Sequence, residues 1–243
     1  MSNNRIDISI IIPCFNEAEG IAHLVTKLKE LEERFTESHE LIFIDDGSSD
    51  STYEKLTHFY QHRRGTDVKI VRHFKNRGLG IAIKTGILNS QGHYLAIIDS
   101  DCTYEPIYLL KMFEIIKKEK ADIITTSPFH PEGSTCDVSG HRIFLSRSLS
   151  KLYSVILRHK LYTYTSMFRI YRTEAIKGMD FEANGFLAMA EILIKAQRKG
   201  FKIIEYPATL TRRTYGNSNA EILKLIKGHL RLIIKILLKK ENG

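Results

Sequence analysis

The chain of 243 residues contains no tryptophan, three cysteines and five prolines, and it has no long apolar run. A membrane-spanning helix needs roughly 18 uninterrupted apolar residues, so none is expected. Cys14, Cys102 and Cys136 are odd in number, far apart and without CxxC spacing. They support neither a disulfide framework nor a zinc site, and a reducing compartment is their simplest home. The ten histidines show no ligand spacing. The opening MSNNRIDISI lacks a basic stretch followed by an apolar run, so no signal peptide is expected. Glycine and proline are scattered, with no linker, internal repeat or compositionally disordered segment.

Negative charge is also in short supply. Lysine and arginine number 36 against 28 acidic residues, a net charge of +8, and most of the surplus lies in the last 45 residues. A basic surplus suits an anionic partner: nucleic acid, anionic lipid or a phosphorylated substrate. No aromatic–basic interleaving and no recognisable nucleic-acid module is present, so no nucleic-acid partner is expected.

What is there is an alternation of β-branched runs and helical spacing. Asp7 to Ile12 reads as a buried parallel strand. A helix follows from Glu17 to Arg34, with Ile21, Leu24, Leu28 and Leu31 on one face. Leu41 to Ile44 is a second strand, followed by the turn Asp45-Asp46-Gly47-Ser48 and a helix from about Ser51, capped by Ser49 or Asp50. Val68 to Val71, the helix Gly78 to Ser90, the strand Tyr94 to Ile98 and a helix starting near Pro106 come next. Beyond residue 127 the pattern loosens. Ile143 to Leu157 and Leu187 to Lys199 read as helices, Ile170-Tyr171 and Ile203 to Tyr206 as strands, and Tyr162 and Tyr164 as packing residues of a strand-like stretch. The alternation predicts an α/β fold, a mostly parallel Rossmann-like sheet flanked by helices.

In such sheets ligands bind beyond the carboxyl ends of the strands. Five carboxylates fall there: Glu17, Asp45, Asp46, Asp99 and Asp101. Asp99-Ser100-Asp101 is a DxD behind an apolar strand. Two carboxylates at that spacing can ligate a hard divalent cation, Mg²⁺ or Mn²⁺, which would bridge the phosphates of a nucleotide diphosphate. The Asp45 turn reads equally well as a turn plus helix cap.

Ile10-Ile11-Ile12-Pro13-Cys14-Phe15-Asn16-Glu17, Ile44-Asp45-Asp46-Gly47-Ser48-Ser49-Asp50-Ser51-Thr52, Arg77-Gly78-Leu79-Gly80 with Lys84, and Asp99-Ser100-Asp101 together resemble the family 2 glycosyltransferases of GT-A fold. The dolichol-phosphate or polyprenol-phosphate mannosyltransferase branch is the most similar. Its later blocks are echoed by Thr165-Ser166-Met167-Phe168-Arg169 and Arg213-Thr214-Tyr215-Gly216-Asn217-Ser218. The resemblance runs from about residue 8 to 219. The chain departs from the branch at Thr103, Pro128, Met167 and Asn219, which leaves the donor sugar open.

The resemblance implies an inverting transfer from a UDP- or GDP-sugar to a polyprenyl-phosphate carrier. It places Pro13, Phe15, Glu17, Asp46 and Lys84 on the nucleotide, with Phe15 stacking on the base. It places Asp99, Ser100 and Asp101 on the diphosphate and metal. Arg213 would stabilise the leaving diphosphate, a task that suits a bidentate guanidinium. A lipid phosphate is already anionic and needs no strong base; a glycan or glycolipid hydroxyl would, and Glu191 matches the family's acidic position for that role. A solvated or ion-paired helix glutamate is the other reading of Glu191. A non-catalytic nucleotide-binding subunit of a membrane complex is a further alternative.

The last segment, Glu221 to Lys240, aligns Lys224, Lys227, Arg231, Lys235 and Lys239 on one stripe of a helix that is apolar elsewhere. Residues 1–220 thus read as the catalytic domain and 221–243 as a basic amphipathic helix. That helix lies on a membrane interface or packs on the domain. A cytoplasmic chain at the cytosolic membrane face is expected, with a membrane-protein partner or a homo-oligomer open.

Overall fold

The computed structural model describes residues 6–61, 67–158, 160–215 and 222–238. The chain runs β1 (Ile8–Cys14), α1 (Ile21–Glu32), β2 (His39–Asp45), α2 (Thr52–Tyr60), β3 (Asp67–Arg72), α3 (Leu79–Asn89), β4 (Tyr94–Ile97) and α4 (Tyr108–Glu119). It continues through β5 (Ile123–Ser127), β6 (Ser134–Cys136), α5 (Gly140–Leu157), β7 (Arg169–Arg172), α6 (Thr173–Lys177), α7 (Leu187–Arg198), β8 (Ile203–Pro207), β9 (Thr209–Thr211) and α8 (Ile222–Leu238). The expected elements are present, their ends displaced by a few residues as fraying ends usually are.

Seven strands form one sheet in the order β3-β2-β1-β4-β7-β5-β8. β1, β2, β3 and β4 are mutually parallel, β8 is parallel to β5, and β7 runs antiparallel to both β4 and β5. The side chains of β1 alternate between two cores. Ile8, Ile10 and Ile12 pack with α1, α2 and α4, and Ile11 packs with α3 and α7 on the other face. This is why the strand reads as an unbroken apolar run. Ile21, Leu24, Leu28 and Leu31 of α1 are all fully buried, as their spacing predicts.

Four elements lie outside the sequence expectation: β5, a five-residue strand of the main sheet, and three other short pieces. β6 and β9 pair in parallel as a separate small sheet, and α6 is a five-residue turn. Such short pieces carry no periodicity to read. Tyr164 is buried, as expected of a packing residue, whereas Tyr162 is half exposed and the stretch around both is not a strand.

Arg169 is the largest fully buried side chain. Its guanidinium donates to Thr125 Oγ1, to the Met189 carbonyl at 2.6 Å and to the Tyr164 carbonyl at 2.7 Å. The arginine of the Thr165–Arg169 block therefore braces the first turn of α7 from inside the core.

No helix among the described residues is long and apolar enough to cross a membrane. α8 packs on the domain through His229 and Ile233, both buried, while Gly228 lies against Leu187 of α7. Ile226, Leu230 and Ile234 are left exposed on the adjoining side of the helix, with the exposed Lys227 and Arg231 beyond them. Lys224 and Lys239 of the predicted stripe lie outside the residues whose side chains are described.

His229 joins α8 to α5: the Tyr153 hydroxyl lies 2.8 Å from its Nδ1. Burial pushes the imidazole down to about 4. The unfolded chain takes up a proton below about pH 6.5 that the folded chain refuses. Stability is therefore full above that pH and falls as pH drops toward 4, by about 1.4 kcal/mol per pH unit from this residue. Denaturant unfolding at pH 7.5 and 5.5 should show a smaller loss for His229→Gln than for the unmodified chain; equal losses would contradict a neutral, buried imidazole.

Candidate active site

β1, β2 and β4 are parallel, so their carboxyl ends share one edge, and the strand order reverses between β1 and β4. That switch point is where an open α/β sheet presents its crevice. Phe15-Asn16-Glu17 leave β1 there, Asp45-Asp46 leave β2, and Asp99-Ser100-Asp101 leave β4.

The loops after β1 and β2 are bonded to each other residue by residue. The Asn16 N–H donates to Ser48 Oγ, the Glu17 N–H to Thr52 Oγ1 at 2.8 Å, and the Ala18 N–H to Asp50 Oδ2. Asn16 Oδ1 accepts the Ser49 N–H at 2.9 Å, and Asn16 itself sits at φ 55. Asparagine tolerates that left-handed conformation better than most residues. Gly47 has φ +71, and an added Cβ would lie 2.3 Å from the Lys75 carbonyl carbon. Most of the polar side chains from Asp45 to Thr52 thus have a bonding role in the turn.

Asp46 is enclosed by the next block. Its carboxylate accepts the Gly78 N–H at 2.7 Å, the Arg77 N–H at 3.0 Å and His73 Nδ1 at 2.6 Å. His73 Nε2 in turn meets Thr85 Oγ1 of α3. Asp45 accepts the Ser48 N–H and lies 3.1 Å from Arg72 Nε. A cavity of ≈ 480 Å³ opens beside this turn, lined by Gly47, Ser48, Arg72, His73 and Phe74.

The acidic rim closes around Arg213. Its guanidinium pairs with Glu17 and lies 3.8 Å from Asp101 Oδ2, and the arginine is only 15% exposed. Burial raises the Glu17 pKa against the pull of Arg213. Burial also pushes Asp99 up to about 8, reinforced by Asp101 and opposed by Arg142. Asp99 Oδ2 is sealed from solvent without a hydrogen-bond partner among the described residues. Asp101 Oδ1 accepts the Thr103 N–H. The Thr103 carbonyl accepts both the N–H and the hydroxyl of Thr211, at the end of β9 and two residues before Arg213. Ser100 is buried beside Cys14, whose thiol burial pushes well up. Pro13 is buried in β1 and Phe15 is half-buried just beyond it.

Two expected residues are placed elsewhere. Lys84 has its ammonium 4.0 Å from Asp180 and over the Phe181 ring, so its contacts are with the 180–181 loop and not with the acids of the rim. Glu191 is buried; its Oε2 accepts the Glu182 and Ala183 N–H groups, and its Oε1 lies 2.6 Å from Lys195. The segment that Glu191 holds carries Asn184. The Asn184 amide donates to the Arg77 carbonyl at 2.7 Å and accepts the Gly80 N–H at 3.2 Å. Gly78, at φ +87, leaves the space that Asn184 fills. A sequence reading has no means of pairing Asn184 with a turn a hundred residues earlier. Asn16 lies inside the first motif without its bonding role showing in the sequence, and His73 could have been flagged only as a polar neighbour of the motifs. Gly216, Asn217, Ser218 and Asn219 lie outside the described residues.

Comparison with known proteins agrees with this arrangement. Residues 9–179 match the family described as Glycosyl transferase family 2. A dolichol-phosphate mannosyltransferase of Pyrococcus furiosus is 28% identical over 95% of this chain and 63% of its own length. Glycosyltransferase AglD of Haloferax volcanii is 26% identical over 92% and 36%, and a dolichyl-phosphate β-glucosyltransferase of Dictyostelium discoideum 29% over 86% and 67%. The chain thus spans about a third to two thirds of the length of these relatives. Glucosyl-3-phosphoglycerate synthase of Mycobacterium tuberculosis, solved with Mn²⁺, UDP and phosphoglyceric acid, superposes with a TM-score of 0.71 at 18% identity, over 96% of this chain and 78% of that one. At that identity the likeness establishes the fold, which is GT-A. With the family match covering most of the sheet and all of its acidic edge, the chain belongs to glycosyl transferase family 2.

Proposed function

We propose that this chain transfers a sugar, with inversion, from a UDP- or GDP-sugar to a polyprenyl phosphate, with Mg²⁺ or Mn²⁺ as cofactor. The observation that carries the reading is the pairing of Glu17 and Asp101 with Arg213 at the switch point of the sheet, with Asp99 close enough to feel both acids. The names of two relatives, a dolichol-phosphate mannosyltransferase and a dolichyl-phosphate glucosyltransferase, support the acceptor class.

The donor set suits a hard divalent cation. Among the described residues Asp99 offers a buried oxygen with no protein donor, and Asp101 Oδ2 lies 3.8 Å from Arg213. Among the described residues no group of three or more potential ligands is assembled, so phosphate oxygens and water would complete the shell. When bound, the cation offsets the charge of the diphosphate and orients it. Asp99 and Asp101 would hold it, with Ser100 alongside. Pro13, Phe15 and Glu17 border the nucleotide, and Asp46 shapes its turn through Gly78 and Arg77. Lys84 reaches the donor only by leaving Asp180.

In the transfer, an oxygen of the lipid phosphate attacks the anomeric carbon as the bond to the diphosphate oxygen breaks, and the nucleoside diphosphate departs with that electron pair. Arg213 stabilises the departing charge, the largest contribution expected in such a site. The nucleophile is already anionic, so no base is needed. The bonding of Glu191 to two backbone N–H groups and Lys195 supports this over a hydroxyl acceptor, because its oxygens are occupied holding the 182–184 segment. Residues 1–220 act as the catalytic domain, and 221–243 bring it to the cytosolic face of a membrane through the exposed α8 row, alone, as a homo-oligomer or beside a membrane protein.

Calorimetry with UDP and GDP should find one nucleotide binding in the presence of Mn²⁺ and about tenfold more weakly without it, and Asp101→Asn should lose that dependence, worth about 1.4 kcal/mol. Failure of both nucleotides to bind sinks the reading. In a transfer assay to a polyprenyl phosphate, Arg213→Ala should lower turnover by about 10²–10³-fold with donor affinity changed far less. Glu191→Gln should stay within about threefold; a drop of about 10²-fold or more, the usual worth of a general base, would point to a hydroxyl acceptor.

A further inference from the structure

α5 exposes an apolar face that the proposed chemistry does not use. Phe144 is 70% exposed and Val155 68%, with Leu145 and Leu152 at about half those values. At about 100° per residue these four fall within one arc of about 100° on the helix. The buried Ser150 and Tyr153 lie off that arc, against the domain. Singly exposed apolar side chains are ordinary on a soluble surface; a contiguous row is not. Among the described residues, seven of the thirteen large apolar side chains that are exposed belong to α5 and α8.

Charge says what covers the row. Neither α5 nor α8 contains an aspartate or glutamate. On α5 the exposed Arg147 and Lys151 flank the apolar arc on one side, with the exposed Arg158 just past the helix end, as Lys227 and Arg231 flank the row on α8. The two helices are neighbours, joined by the Tyr153–His229 hydrogen bond. A second copy of this chain would set like charge against like charge. An anionic lipid interface accepts both the apolar row and the cations beside it.

We propose that the outward face of α5 is a second lipid-docking element beside α8, and that its occupant is the interface of an anionic bilayer. The first turn of α5 carries Arg142, whose charge acts on Asp99. A docked α5 would bring the acidic rim toward the membrane surface, where a polyprenyl-phosphate head lies. This deepens the acceptor reading above and rests on it for its purpose, but its test reads lipid contact and not sugar transfer.

The chain has no tryptophan, so a single one introduced at an exposed site reports its own surroundings. Phe144→Trp and Val155→Trp should each shift their emission to the blue on vesicles of phosphatidylcholine with about a third phosphatidylglycerol, less on phosphatidylcholine alone, and less at high salt. Phe59→Trp on α2 should not shift. Replacing both Phe144 and Val155 by aspartate should weaken vesicle co-sedimentation by about tenfold or more, with an unchanged melting temperature as the control for folding. Unshifted emission at both sites overturns the proposal, as does a shift that grows with protein concentration in the absence of lipid, which would mark a second copy as the occupant. Equal binding to neutral and anionic vesicles also overturns it.

Discussion

The site depends on the bonding between the loop that leaves β1 and the loop that leaves β2. Neither loop has regular structure of its own, and a loop with unpaired backbone groups at a strand end would be mobile or solvated. Here Asn16, Glu17 and Ala18 each give their N–H to an oxygen of the Ser48–Thr52 segment. The Asp46 N–H closes onto the Cys14 carbonyl from the other direction. These bonds hold Glu17 over the crevice in front of β4. Asp46 then extends the frame to the glycine-rich turn, and Asn184 clamps that turn from the far side. This side of the crevice is one bonded frame, built from segments that begin nearly 170 residues apart.

Inside that frame the electrostatics are unbalanced on purpose of chemistry and not of stability. Glu17, Asp99 and Asp101 repel one another at low dielectric, and each would be costly to bury charged and alone. Arg213 offsets part of this through Glu17 and, at longer range, Asp101, while Asp99 responds by a raised proton affinity. Groups so perturbed in a crevice are the usual mark of a binding or reacting site. On the proposed reading, Asp99 and Asp101 would hold a divalent cation here and Arg213 would face the departing phosphate.

Much of this was legible in the sequence because the parallel strands are buried on both faces and so leave unbroken apolar runs whose ends are easy to mark. Ile8–Cys14 and His39–Asp45 announce where the carboxyl ends lie, and the acids follow at once. The turn at Asp45–Thr52 was visible as a motif, but its meaning was not: a carboxylate that caps a turn and one that binds a ligand have the same letters. Glu191 shows the converse, since only its two backbone donors and Lys195 reveal a holding role. β6, β9 and the antiparallel β7 depend on pairings across long separations, which no local period records. Lys84 was placed by resemblance alone, and its neighbours Asp180 and Phe181 come from a segment with no motif of its own.

The junction between Thr103 and Thr211 links the loop beyond β4 to the segment that carries Arg213. A backbone carbonyl just past Asp101 is gripped twice by the residue that ends β9, and the arginine comes two residues later, about 7 Å of extended chain at most. Asp101 and Arg213 are therefore tied to one junction. A displacement of the loop beyond β4 would be felt at Asp101 and Arg213 alike, through one backbone carbonyl.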